Sequence, residues 1–312
     1  SANRYRYREA ACECFVQAYM DQISFWCRDH RIAMTGHVLS EDSLTAQSVT
    51  VGDCMRCYRN MDIPGIDVLV DKREFVTAKQ ASSVARQYGK AGVVSELYGA
   101  THWDCDFKTY KLQGDWQVAL GITHRVPHLS YMSMAGEAKR DWPASIFFQS
   151  PWYREYSYIE DYFARLNTVL TRGKAVVRIG VIHPVESAWL EFGPNDQTLG
   201  RRRELDHRFD ELVRWMLYDT LDFDFLSESL IPELCEKNGT SCKDNRLHVG
   251  QMAYDAIVVP NMITIRSTTL SFLEQFRKRG GTVIFMGTVP SLEDGEESRR
   301  AEQLAAKSMV IS

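Results

Sequence analysis

Apolar and polar positions along this chain alternate in blocks that read as helix, strand, helix, strand. Over residues 7–29, Phe15, Tyr19, Ile23 and Trp26 recur at helical spacing, which predicts a helix burying that face. Residues 32–39 form a short strand-like run closed by Ser40, Glu41 and Asp42. Residues 65–70 predict a second strand, and residues 75–88 a helix that Gly89 stops. A third strand follows at 92–98, a helix at 107–120 ended by Gly121, and a fourth strand at 126–134. Four strand–helix units in regular order imply parallel strands joined by crossover helices.

After an aromatic loop at 141–153 and a helix running to Leu170, Thr171 to Lys174 reads as a boundary. The apolar run 176–182 then predicts a buried parallel strand. Further strands are expected at 224–226, 256–259 and 282–286, with helices at 205–218 and 268–279. The pattern is doubly wound and flavodoxin-like in outline. Two domains are therefore expected, 1–170 and 171–312, an α/β organisation in which half of a (β/α)8 barrel precedes a flavodoxin-like unit. A closed barrel takes roughly 250 residues, and half of one leaves two open sheet edges. The chain also lacks an initiator Met, so either the first domain is some smaller α/β sheet or the chain is a piece of a larger protein.

Composition narrows the function classes. Of 312 residues, 45% are hydrophobic and 25% charged, an ordinary globular balance. A net charge of −4 and a pI near 6.1 exclude a strongly basic nucleic-acid footprint. No apolar run approaches the roughly 20 residues of a membrane span, and the start carries no targeting pattern. A soluble protein without membrane or nucleic-acid partners is expected. The eight cysteines follow no secreted framework, and Cys54–Cys57 is a CxxC without a second pair. Most read as buried free thiols, which favours a reducing, cytoplasmic setting. The four tryptophans at 26, 116, 189 and 215 read as core.

Active sites of parallel β/α folds form at the carboxyl ends of the strands. There the sequence places His37 at the end of the first strand with Glu41 just beyond, and Glu96 on the third, followed by Tyr98, His102 and Trp103. His128 stands at the start of the fourth strand and Tyr131 and Glu137 at its end, with Trp142 and Trp152 in the aromatic loop. Aromatic rings stack on the apolar faces of sugars while carboxylates and imidazoles bond their hydroxyls, so the rim suits a carbohydrate. Glu96 stands out because it interrupts an apolar strand, where an unpaired carboxylate is costly. His37, His102 and His128 lack the spacing of a helical zinc site, so no metal and no cofactor is expected. A metal-dependent hydrolase built on those histidines is an alternative, as is a non-catalytic carbohydrate-binding protein on a barrel scaffold.

The order of these features resembles the carboxy-terminal half of the catalytic barrel of family 42-like glycoside hydrolases, followed by their flavodoxin-like, trimerisation-type domain. Ala33 to His37 is similar to that family's fifth barrel strand, and Ser95-Glu96 with Trp103 to its seventh. The segment Asp115 to Gly121 and then His128 to Met134 is similar to the last helix and eighth strand. Val177 to Pro184, Tyr254 to Pro260 and Gly280 to Val283 resemble strands of the following domain. Family 106-type rhamnosidases are a second group the chain resembles. The resemblance implies a bacterial enzyme of carbohydrate metabolism that hydrolyses O-glycosyl bonds of a plant- or host-type glycan, β-galactosidase-like or related. It implies a retaining mechanism with Glu96 as nucleophile and the general acid/base upstream of residue 1. Glu41 is the alternative acid/base, and His37, Tyr98, His102, Trp103, His128, Tyr131, Glu137, Trp142 and Trp152 are the substrate-binding candidates. It also implies that this fragment alone is inactive, and that a homo-oligomer can form.

Overall fold

The structure is a computed structural model that describes residues 1–70, 72–137, 143, 146–236, 242–243 and 245–311. Its first sheet is entirely parallel and consists of β1 (Thr35–Gly36), β2 (Ile63–Val68), β3 (Val94–Leu97) and β4 (His124–Pro127), in that order. The predicted strand at 32–39 shrinks to two residues, and that at 126–134 moves forward to His124–Pro127. Crossover helices connect the strands, among them Phe75–Tyr88 and Phe107–Ala119. Asp106 starts the second of these by accepting from the Thr109 N–H at 2.9 Å, which satisfies one of the donors a helix start leaves open. Two short helices that hydrophobic periodicity did not reveal, Leu44–Thr50 and Cys54–Cys57, fill the β1–β2 connection. Both announce themselves through their caps, Ser43 and Asp53.

The second sheet is also parallel. Its strands are β5 (Ile179–His183), β6 (Phe223–Ser227), β7 (Ala256–Val259), β8 (Thr282–Met286) and β9 (Met309–Ile311). Their spatial order is β9-β8-β7-β5-β6, the doubly wound flavodoxin-like order. The helix predicted at 205–218 begins earlier, at Asn195, and runs 24 residues. A partial barrel followed by a doubly wound α/β unit is thus the architecture. Among the described residues, no helix is long and apolar enough to cross a membrane.

One hydrophobic core runs through both sheets, from Ile66 and Val68 to Val181, Phe223 and Phe225. Between them lies the Phe75–Tyr88 helix, twelve of whose fourteen residues are buried. Its Lys79 ammonium donates to Asp222 at 2.8 Å, and Arg86 to Asp224 at 2.9 Å. Gln87 donates to the Phe225 carbonyl at 2.8 Å. Nearby, Trp189 is fully buried and donates its indole N–H to the Gly52 carbonyl, while Ser227 donates to the capping Asp53.

Two expectations about the core are corrected. On the leading helix, Phe15, Tyr19, Ile23 and Trp26 face outward; Trp26 is 55% exposed. The buried stripe is Tyr5, Cys12, Val16 and Met20. Both stripes repeat at helical spacing, so periodicity alone cannot say which one faces in. The choice is made by Glu9, Glu13 and Asp21, which pair with Arg56 and Arg59 beneath the helix. Trp215 is likewise exposed, and so is Cys14, whereas Cys12, Cys54, Cys57 and Cys105 are buried free thiols and Cys235 is buried.

A smaller aromatic core joins the Phe107–Ala119 helix to the Ser157–Leu170 helix. Its tightest point is Gly114, where an added Cβ would lie 2.1 Å from the ring of the buried Phe163. That ring cannot easily retreat, because the Arg125 guanidinium sits 3.7 Å from its centroid. An Ala for Gly exchange in a helix ordinarily stabilises by roughly 0.5–1 kcal/mol. Here overpacking should win, and Gly114→Ala is expected to lower stability by about 1–3 kcal/mol in denaturant unfolding. A gain would mean that the two helices are not packed this closely.

Candidate active site

The carboxyl ends of β1, β2 and β3 deliver three side chains to one place. In β3 the burial alternates: Ser95 and Leu97 turn inward, leaving Val94 and Glu96 on the partly open face. Glu96 is in register with Asp67 on β2 and with Val126 on β4, so the three form a row across the sheet. His37 follows β1 directly. Gly65 makes this approach possible, because a Cβ there would lie 2.5 Å from the Gly36 carbonyl oxygen. His37 Nε2 stands 3.4 Å from Glu96 Oε2, and His128 Nε2 stands 3.7 Å from Glu96 Oε1. One donor-type atom each from His37, Asp67 and Glu96 lies within 4.8 Å of the other two. That spacing lets one imidazole and two carboxylates reach a single small cation as well as a polar substrate.

The electrostatics follow from this crowding. His37 Nδ1 lies 2.9 Å from the Val38 carbonyl, which can only accept, so Nδ1 carries the hydrogen. Nε2 is then free to face the carboxylates. Burial works against the charged imidazole. The Val38 carbonyl and the charges of Glu41, Asp67 and Glu96 outweigh it and raise the His37 pKa. Burial, reinforced by the Glu96 charge, raises that of Asp67. Asp67 Oδ1 is buried and has no hydrogen-bond partner among the described residues.

Behind His37 lies Glu41, only 4% exposed. Its Oε1 accepts from the Tyr58 hydroxyl at 2.6 Å and from the Val38 N–H at 3.0 Å. Burial overcomes these two bonds and pushes its pKa up to about 7.

The backbone of the surrounding loops is strained. Five of the nine described non-glycine residues with positive φ lie just after β1, β2 and β3: Ser40, Val70, Tyr98, Ala100 and His102. Val70, β-branched at φ 53°, is the least comfortable of them. Such residues cost about 1–3 kcal/mol each and gather where function constrains the chain. The loops also brace one another: Val70 N–H donates to the Gly99 carbonyl and His128 N–H to the Leu97 carbonyl.

The other rim candidates separate into two groups. His102 and Trp103 are exposed on the loop after β3, where His102 N–H bonds the Pro143 carbonyl at 2.9 Å. Tyr131 is half-buried and its carbonyl accepts from Gln149, while Glu137 is exposed. Trp142 lies outside the described residues. Tyr98 and Trp152, by contrast, are not on the rim. Tyr98 is fully buried, donating to the Tyr110 carbonyl and accepting from Arg125. Trp152 packs edge-on against Phe107 and Tyr110 in the same aromatic core. Both carry large apolar rings that the two-helix core takes up. The residue that sequence reasoning missed is Asp67; the expected strand ran on to residue 70, which hid a polar position near its true end.

Solved structures share this architecture. A rhamnosidase from Novosphingobium sp. PP1Y superposes with a TM-score of 0.69 at 16% identity, over 99% of this chain and 30% of its own. Gan42B, a GH42 β-galactosidase from G. stearothermophilus, gives 0.61 at 10% identity, over 95% of this chain and 43% of its own. The β-galactosidase from Bacillus circulans sp. alkalophilus gives 0.55 at 16% identity, over 95% and 41%. This chain thus spans less than half the length of each. No protein-family model matches the chain, and none of the curated proteins matches its sequence. The resemblance to family 42-like glycosidases and to rhamnosidases therefore holds at the level of the fold: a partial parallel β/α barrel followed by a doubly wound α/β unit.

The burial of Glu41 gives a pH signature. In the unfolded chain its carboxyl ionises near the ordinary 4.5, and in the folded protein near 7. Between those values the folded state holds a proton that the unfolded chain has lost, so raising the pH through this window withdraws stability. Glu41→Gln is expected to lose less stability than wild type between about pH 4.5 and 7. Unfolding curves for both proteins across that range check this, and parallel curves would refute it.

Proposed function

We propose that this chain forms part of the catalytic barrel of a glycoside hydrolase and that Glu96 is its nucleophile. The observation that carries the reading is the placement of Glu96: a carboxylate at the carboxyl end of a parallel strand, on the open face, between two imidazoles. In a retaining reaction such a group attacks the anomeric carbon while a second carboxyl group, about 5–5.5 Å away, protonates the leaving oxygen. Asp67 does not suit that second role, because it stands beside Glu96 in the same row instead of across a cleft from it. The acid/base is assigned to a segment upstream of residue 1. Glu41 is the less favoured choice, since Tyr58 and Val38 already occupy its carboxyl; it serves better as the charge behind His37.

His37 and His128 have the reach to steady the Glu96 carboxylate and to bond sugar hydroxyls. His102, Trp103, Tyr131 and Glu137 are then rim contacts for the glycan, and Trp142 is retained with them from the sequence alone. Division of the chain near residue 170, into this barrel portion and an accessory flavodoxin-like unit, belongs to the same reading. The similar solved structures make aryl rhamnosides and aryl β-galactosides the first substrates to try.

In the full-length protein, Glu96→Gln is expected to cut kcat/KM by about 10³-fold or more while leaving the melting temperature unchanged. Azide should revive Glu96→Gly by taking the nucleophile's place, releasing a glycosyl azide of inverted configuration. Undiminished hydrolysis by Glu96→Gln would end the assignment. Loss of wild-type turnover on chelation would favour instead a metal-dependent hydrolase using His37, Asp67 and Glu96.

A further inference from the structure

The chain compensates several of its deeply placed carboxylates with cations. Asp224 has Arg86 and Lys79, Glu186 has Arg266, and Asp21 has Arg59. Asp53, which caps its own helix, has Ser227 and Arg56. Among the described residues, Asp67 has no such partner. Its neighbour in the row is Glu96, another acceptor; Val126, which is apolar, lies beyond Glu96 on β4. A ring nitrogen of His37, which also faces Glu96, lies within 4.8 Å of an Asp67 carboxylate oxygen.

We propose that Asp67 is a substrate-binding residue that accepts a hydrogen bond from a hydroxyl of the sugar seated on Glu96, and so helps select which sugar is turned over. The inference rests on the glycosidase reading of the site. Two carboxylates side by side on adjacent parallel strands cannot satisfy each other when both are ionised. What the pair lacks is a donor that brings no charge of its own, and a sugar hydroxyl is such a donor. Register fixes the geometry: Asp67 and Glu96 project from paired positions on the same face. A ring held with its anomeric carbon over Glu96 therefore presents a neighbouring hydroxyl to Asp67. A site built to hydrogen-bond one hydroxyl rejects the analogue without it, because the buried acceptor is left unpaired.

The test uses an aryl glycoside that the full-length wild type hydrolyses, together with its monodeoxy analogues. With the parent substrate, Asp67→Ala should raise KM about 10–100-fold. Asp67→Asn, whose amide oxygen still accepts, should raise it less. On one monodeoxy analogue, wild type and Asp67→Ala should converge. Melting temperatures of Asp67→Ala and of the near-isosteric Asp67→Asn separate this result from misfolding. A uniform fall in kcat on every analogue with KM unchanged would overturn the proposal and make Asp67 a partner of Glu96 only. Recovery of Asp67→Asn by added calcium would overturn it in favour of a cation ligand. A wild type inert toward every glycoside would overturn the glycosidase reading itself, whereas an active wild type with a uniform Asp67→Ala defect would remove Asp67 alone.

Discussion

The Phe75–Tyr88 helix is shared by two sheets, and the rest of the structure is arranged around that constraint. As the crossover between β2 and β3 it must cover one side of the first sheet. Its other side meets the start of β6 through Lys79, Arg86 and Gln87. Burying a lysine is expensive, and the neighbouring carboxylates offset the cost without guaranteeing a net gain. The polar bonds fix the register of one sheet against the other, whereas apolar contacts alone would allow sliding. Because this helix leads straight into β3, the position of Glu96 depends on that register.

The site therefore has a rigid floor and a strained rim. Glu96 and Asp67 belong to strands, whose backbone bonds hold them side by side. His37, His128 and the loops after β2 and β3 are set by cross-bonds between neighbouring loops and by residues in unfavourable backbone regions. Strand-borne carboxylates with loop-borne histidines suit a reaction in which the attacking group must not move while its surroundings adapt to a bulky, hydroxylated substrate.

Much of the fold was legible because parallel strands buried on both faces leave uninterrupted apolar runs, as in residues 179–182 and 256–259. Glu96 was legible for the converse reason, since one charge in such a run has to be explained. Asp67 is chemically similar but was masked by its context: the residues after it, Val68 to Val70, continue the apolar run, and only the register shows where the strand stops. The leading helix failed differently. Its two apolar stripes are equivalent by spacing, and the deciding acids lie between them, readable only once Arg56 and Arg59 are known to lie beneath. Tyr98 and Trp152 were assigned to the rim from residue type, yet a ring that suits a sugar suits an aromatic core equally well.

The doubly buried helix also bears on how such a sequence can change over generations. A surface helix has a wet side on which substitutions drift freely, but this one has almost none. A change at Lys79 or Gln87 that suited one sheet would have to be matched by the other. Variation in this chain should therefore collect on the loops and outer helices, leaving the shared helix as the slow-moving part around which both sheets must evolve together.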